Sequence, residues 1–183
     1  ILSSAGVGKA MSEWIVAGEP TMDLAELDIA RFNAFEVNER FLHDRISESL
    51  GLLYAMHWPH RQFETARGIR EVPLHARLKA KGAVFGTAAG WERANWYAQD
   101  GVAPEYAYAW GRQNWFDAVG EEHAHVRAHA GLFDQSSFAK YDISGPKAAE
   151  ALEAICANRV ARDIGRLTYT QLLNSRGGIE ADL

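Results

Sequence analysis

The stretch Arg127 to Pro146, RAHAGLFDQSSFAKYDISGP, constrains the rest of the chain most, because its hydrophobic period changes within a short span. Val126, Ala130 and Phe133 stand at helical spacing, which predicts a helix over 120–130. Gly131 is the expected left-handed C-cap of that helix. Lys140 to Ser144 then alternates polar and apolar, placing Tyr141 and Ile143 on one face of an expected strand. Gly145-Pro146 ends the strand and opens a helix over 146–157 with Ala148, Leu152 and Ile155 inward. Asp134 and Ser136 read as turn and cap residues, since no base stands at a defined spacing from them. Helix, strand and helix in such an order call for an α+β fold.

Composition narrows the function classes. Of 183 residues, 19 are basic and 24 acidic, for a formal charge of −5, which argues against a nucleic-acid binder. The single cysteine, Cys156, cannot form an internal disulfide or a multi-cysteine metal site. No apolar run approaches the ~20 residues of a membrane span. No basic-then-apolar leader is visible, so the expected location is cytoplasmic. Ile1-Leu2 reads as the close of a strand and Asp182-Leu183 as the start of one, which suggests a fragment of a longer protein.

Before the central stretch, Ser3 to Pro20 reads as a turn and a helix, with Met11, Trp14 and Ile15 inward and Gly18 as its end. Gly6 and Gly8 leave the start of this helix bare, so backbone N–H groups and the dipole can approach an electron-rich ligand; a plain glycine turn is the alternative. Helices are expected over 28–35 and 40–53, the second with Phe41, Arg45, Glu48 and Leu52 along one side. A short helix around Leu74 and Leu78 precedes a strand over 83–85. The block GWERANWY, Gly90 to Tyr97, reads either as a packed aromatic corner or as the wall of a cavity for a flat ligand, with Glu92-Arg93 a potential ion pair. Residues 98–111 look like a linker-like excursion, with re-entry at Asn114 to Phe116.

His57 and His60 stand three apart and His125 and His129 four apart, but neither pair has a neighbouring carboxylate or cysteine pattern, and no metal site is expected. Near the C-terminus, Thr168 to Leu173 and Ile179 to Leu183 form the two strands of a hairpin around Asn174 to Gly178.

Five blocks, SSAGVGKAMSEWIVAGEP, ELDIARF, GWERANWY, AHAGLFDQSSFAKYDISGP and TYTQLLNSRGGIEADL, follow one another through the chain. In that order the chain resembles the dimethylglycine and sarcosine dehydrogenases and oxidases, in which an amine-oxidising flavin domain is fused to a domain similar to the glycine-cleavage aminomethyltransferase. The resemblance implies an α+β chain of several parts. Residues 1–20 would close a flavin domain of the D-amino-acid-oxidase kind, 21–97 form a connecting central domain, 98–114 a linker-like excursion, and 115–183 the first part of a folate-binding domain. It implies FAD and tetrahydrofolate as cofactors and a small N-methyl amine, dimethylglycine or sarcosine, as substrate. The one-carbon unit would pass as an iminium to tetrahydrofolate, or be released as formaldehyde; the electron acceptor stays open.

The resemblance also implies site residues. Ala5, Gly6, Val7 and Gly8 would lie against the flavin. Asp182 would be the folate-side acid, since Ala181 stands where glycine-cleavage enzymes carry the first of two adjacent acids. Tyr169 is a second folate candidate. The chain has no GxGxxG nucleotide-binding turn at its start, so the isolated chain is expected to be inactive and to bind no FAD. A stand-alone aminomethyltransferase-like folate-binding module without redox chemistry, or a remnant with no ligand, are the other readings.

Overall fold

The computed structural model describes residues 2–183. The chain folds as two compact units, Ile1–Ser137 and Phe138–Leu183. It is a mixed α and β protein. The border falls inside the Arg127–Pro146 stretch. Ile1, the expected strand end, lies outside the described residues.

The first unit opens with helix α1 (Ser4–Ala17), closed by Gly18 in the left-handed conformation as expected. Its buried residue is Ala10, while Met11 and Ile15 face outward. The helix expected over 28–35 is instead two short 3-10 turns, Ile29–Arg31 and Ala34–Val37. Asp28 and Asn33 start them in extended backbone; the Asp28 side chain accepts the Ala30 N–H at 2.8 Å and the Glu36 carboxylate accepts the Asn33 N–H at 2.6 Å, local bonds that compete with a longer helix. Helix α2 (Glu39–Leu52) starts at Asn38, whose side chain accepts the Phe41 N–H at 2.8 Å. Its Phe41, Arg45, Glu48 and Leu52 side is the partly buried one, as the spacing requires.

A three-stranded sheet forms the centre of this unit, with strand order β1 (Arg70–Glu71), β3 (Trp91–Tyr97), β2 (Ala83–Ala88). β1 runs parallel to β3 and β2 antiparallel to it. The block GWERANWY is therefore a strand rather than an aromatic corner. A two-residue turn, Ala89-Gly90, joins β2 to β3 with both residues at positive φ, 48° and 78°, the geometry that matches strand twist. Helix α3 (His75–Ala80) precedes β2. Val72, Ala83, Val84 and Trp96 are the buried apolar residues around the sheet.

Residues 98–114 return to the sheet instead of leaving it. Tyr106 and Tyr108 stack at 5.5 Å, and Tyr106 and Trp115 meet Trp96 edge-on and tilted, each at 6.5 Å. Helix α4 (Phe116–Ala128) starts earlier than expected and ends at His129 in extended backbone. Gly131 is thus not its C-cap. A Cβ there would meet Val126 Cγ2 at 2.8 Å and Phe133 Cε2 at 3.2 Å, so the residue is small to let side chains close over it.

In the second unit, the strand expected over 140–144 does not form; those residues have no ladder partner among the described residues, and Tyr141 and Ile143 are exposed. Alternation marks a surface that fits a sheet, and a strand needs a neighbour to become one. Helix α5 is shorter than expected (Ala148–Ile155), with Ala148 and Leu152 half-buried and Ile155 exposed. β4 (Gln171–Leu173) and β5 (Ile179–Asp182) form the expected hairpin, closed by the Asn174 N–H on the Gly178 carbonyl at 2.9 Å. The segment at Cys156 bridges to Leu172 on the other edge of β4, and Ala157 donates to the Gln171 carbonyl at 2.8 Å.

Candidate functional site

The hairpin brings two of the expected site residues together. Asp182 stands opposite Gln171 across the ladder. Tyr169 precedes Gln171 by two residues and shares its face, so Tyr169 is the diagonal neighbour of Asp182, within reach of an aromatic side chain. The Tyr169 hydroxyl donates to Asp182 Oδ2 at 3.0 Å. Both side chains are exposed, which leaves the second carboxylate oxygen open to a ligand donor. Between them in the ladder, Thr170 is fully buried and exchanges both backbone hydrogen bonds with Leu183, each at 2.9 Å. An anionic acceptor beside a phenol suits a ligand that presents N–H donors.

The other expected site residues lie apart from this pair in the chain. Ala5, Gly6, Val7 and Gly8 all fall within the first half of α1. A Cβ at Gly6 or Gly8 would meet nothing within 4 Å, and Val7 donates its own N–H to the Ser3 carbonyl at 2.9 Å. The helix start is thus open beside Gly6 and Gly8. By themselves they do not fit a flavin, and no step through one follows from them.

Two clefts lie along the first unit. A cleft of about 640 Å³ is lined by Gln62, Arg67, His75, Phe85, Tyr106 and Tyr108 among others. A second, of about 310 Å³, lies against Arg31, Phe35, Arg45, Phe63 and Glu92. Trp91, Trp96 and Tyr97 line neither; the aromatic walls come from elsewhere in the chain. Trp96 is core, and Trp91 carries the Arg70 guanidinium over its ring at 4.2 Å.

Glu92 is the buried charge of this region. It pairs with Arg67, not with Arg93, because adjacent strand residues point to opposite faces. Arg67 holds it by two hydrogen bonds, 2.7 Å and 2.5 Å, and Gly68 adds its N–H at 2.8 Å. Burial pushes the Glu92 carboxyl up, but the Arg67 and Gly68 donors outweigh it and hold the group below the usual range. Arg67 also donates to the Phe63 and Phe85 carbonyls, so four of its N–H groups are spent on structure. Arg67 belongs to no sequence motif; the signal that points to a distant partner for Glu92 is the strand character of Trp91–Tyr97.

Burial also drives the Tyr106 phenol upward. Among the described residues, no group of three His, Cys, Asp or Glu side chains is placed to hold a metal ion. No helix among them is long and apolar enough to cross a membrane.

Comparison with known proteins gives two family matches in sequence. Residues 17–71 match the FAD dependent oxidoreductase central domain, and residues 74–183 match the GCVT N-terminal domain. The whole chain is 45% identical to 4-methylaminobutanoate oxidase (formaldehyde-forming) of Paenarthrobacter nicotinovorans, covering 22% of that protein. It is 34% identical, over 97% of its length, to the mitochondrial pyruvate dehydrogenase phosphatase regulatory subunit of Mus musculus, and 32% identical, over all of it, to the mitochondrial dimethylglycine dehydrogenase of Rattus norvegicus; it covers 21% of each. The chain thus spans about a fifth of the length of these relatives. It belongs to the GCVT N-terminal domain family and to that of the dimethylglycine and sarcosine dehydrogenases, and its GCVT match follows its match to the FAD dependent oxidoreductase central domain.

Proposed function

We propose that this chain is part of an FAD-dependent enzyme that oxidatively demethylates a small N-methyl amine and passes the one-carbon unit to tetrahydrofolate. The observation that carries this reading is the succession of an oxidoreductase central domain and a GCVT N-terminal domain in one chain. The names of two relatives, a 4-methylaminobutanoate oxidase and a dimethylglycine dehydrogenase, support an N-methyl amine substrate. In this reading Ala5 to Gly8, at the start of α1, would belong to the end of the flavin domain.

Tyr169 and Asp182 are the folate-side pair in this reading. Asp182 accepts N–H donors of the pterin or a proton released as the one-carbon unit is captured, and Tyr169 fixes the orientation of its carboxylate. Domain limits at 1–20, 21–97, 98–114 and 115–183 and a cytoplasmic location belong to the same proposal. The test is to supply the full-length parent with dimethylglycine, sarcosine and 4-methylaminobutanoate, with and without tetrahydrofolate. Formaldehyde without folate and methylenetetrahydrofolate with it are expected; formaldehyde in equal yield under both conditions would remove the folate half.

A reading without redox chemistry is favoured by one observation, the 34% identity to a protein named as a regulatory subunit. A full-length parent that binds folate but carries no flavin would establish it.

A further inference from the structure

Beyond the Tyr169–Asp182 pair, the second unit contains a side chain that takes the place of a strand. The segment Cys156 to Asn158 runs antiparallel along the free edge of β4. Ala157 supplies one rung, its N–H to the Gln171 carbonyl at 2.8 Å. In an antiparallel ladder, the carbonyls that point to one neighbour recur every second residue, so the next acceptor on this edge is Tyr169. The backbone does not provide that rung. The Asn158 side-chain amide does, donating from Nδ2 to the Tyr169 carbonyl at 2.8 Å. The Asn158 backbone N–H turns to the Thr170 hydroxyl at 2.9 Å.

Asn158 therefore grips both residues at the entrance of β4, one through its side chain and one through its main chain. Thr170 is fully buried and locked to Leu183 on the opposite side. The two strand positions flanking this lock carry Tyr169 and Asp182. The approach to Asn158 is itself fixed, because Glu153 accepts the Val160 and Ala161 N–H groups at 2.9 Å and 2.8 Å, bonds that hold its carboxyl below the usual range.

We infer that Asn158 is a positioning residue for folate, acting through Tyr169 on the Asp182 carboxylate with Thr170 as its anchor. This rests on the reading of Tyr169 and Asp182 as the folate-side pair. Asparagine suits the place because it alone combines a short side chain with an N–H that mimics the backbone donor; aspartate is isosteric but has no such hydrogen to give.

The experiment measures binding of 5-formyltetrahydrofolate to the full-length parent by calorimetry. Asn158→Ala and Asn158→Asp are each expected to weaken binding about tenfold, and Thr170→Val about threefold, the loss of one hydrogen bond in each case. Thr170→Ser, which keeps the hydroxyl, is expected to stay near wild type. The deciding comparison is a cycle with Asp182→Asn. If Asn158 acts through the pair, Asn158→Ala added to Asp182→Asn produces no further loss. Full additivity, or wild-type affinity in Asn158→Ala, overturns the inference. Wild-type affinity in Asp182→Asn alone overturns the folate-side reading itself, and this inference with it. Should Asn158→Ala not fold, the same cycle run with the near-isosteric Thr170→Val gives the answer.

Discussion

Tyr169 and Asp182 meet diagonally across the β4–β5 hairpin, the tyrosine hydroxyl donating to the carboxylate at 3.0 Å. Neither is buried, so the bond does little for stability and its consequence is orientation. Tyr169→Phe keeps the ring and removes the donor. It is expected to weaken 5-formyltetrahydrofolate binding to the full-length parent about three- to tenfold while leaving the thermal midpoint within about 1 °C. Calorimetry and a melting curve check the two halves of this expectation.

Removing the charge of Glu92 leaves Arg67 with no counter-ion in a largely buried place. Glu92→Gln is expected to destabilise the chain by about 2–4 kcal/mol in urea unfolding. Replacing both partners, as Glu92→Leu with Arg67→Met, is expected to cost less than Glu92→Leu alone, since the apolar pair leaves no unpaired charge.

The same pair sets an acid limb. The folded Glu92 carboxyl titrates below its unfolded value of about 4.3. Its stabilisation is therefore complete above that value and fades as pH falls through the lower, folded one. Glu48, lowered by the Thr65 hydroxyl and the Glu64 and Thr65 N–H groups against its own burial, adds in the same direction. Urea midpoints measured from pH 7 to pH 3 are expected to fall, and to fall less steeply in Glu92→Gln.

Gly90 sits at φ +78° in the β2–β3 turn, where an added Cβ would meet the Phe35 ring at 2.6 Å. Gly90→Ala is expected to cost about 1–3 kcal/mol from strain and overlap together. Phe35→Ala should relieve only the overlap, so a double variant that recovers part of the loss separates the two causes.

For the isolated 183-residue chain, no flavin binding is expected, because it carries no GxGxxG nucleotide-binding turn at its start. Purified chain incubated with FAD and desalted should show no flavin absorbance; a stoichiometric yellow protein would sink the expectation.

Local patterns are legible in the sequence where one segment decides its own structure. The partly buried side of α2 followed from helical spacing, and the β4–β5 hairpin from its Asn174 to Gly178 turn. Patterns whose meaning depends on a distant partner were read poorly. Residues 140–144 have strand alternation but form no ladder among the described residues. Gly90 to Tyr97 is dense in aromatics, which hid the strand, and with the strand hidden Glu92 was paired with its neighbour Arg93 instead of with Arg67. Tyr169 and Asp182 came from family resemblance; their hydrogen bond follows from hairpin register, which only the paired strands fix.

The parallel pairing of β1 with β3 joins residues 70–71 to residues 91–92. The two family matches meet between 71 and 74, so their boundary cuts through this sheet and through the Arg67–Glu92 ion pair. A gene cut at that boundary would separate β3 from a neighbour and Glu92 from its cation. Sequence heredity and strand pairing are thus divided at different places, and transplanting residues 74–183 into another protein requires carrying Arg67 to Glu71 along with them.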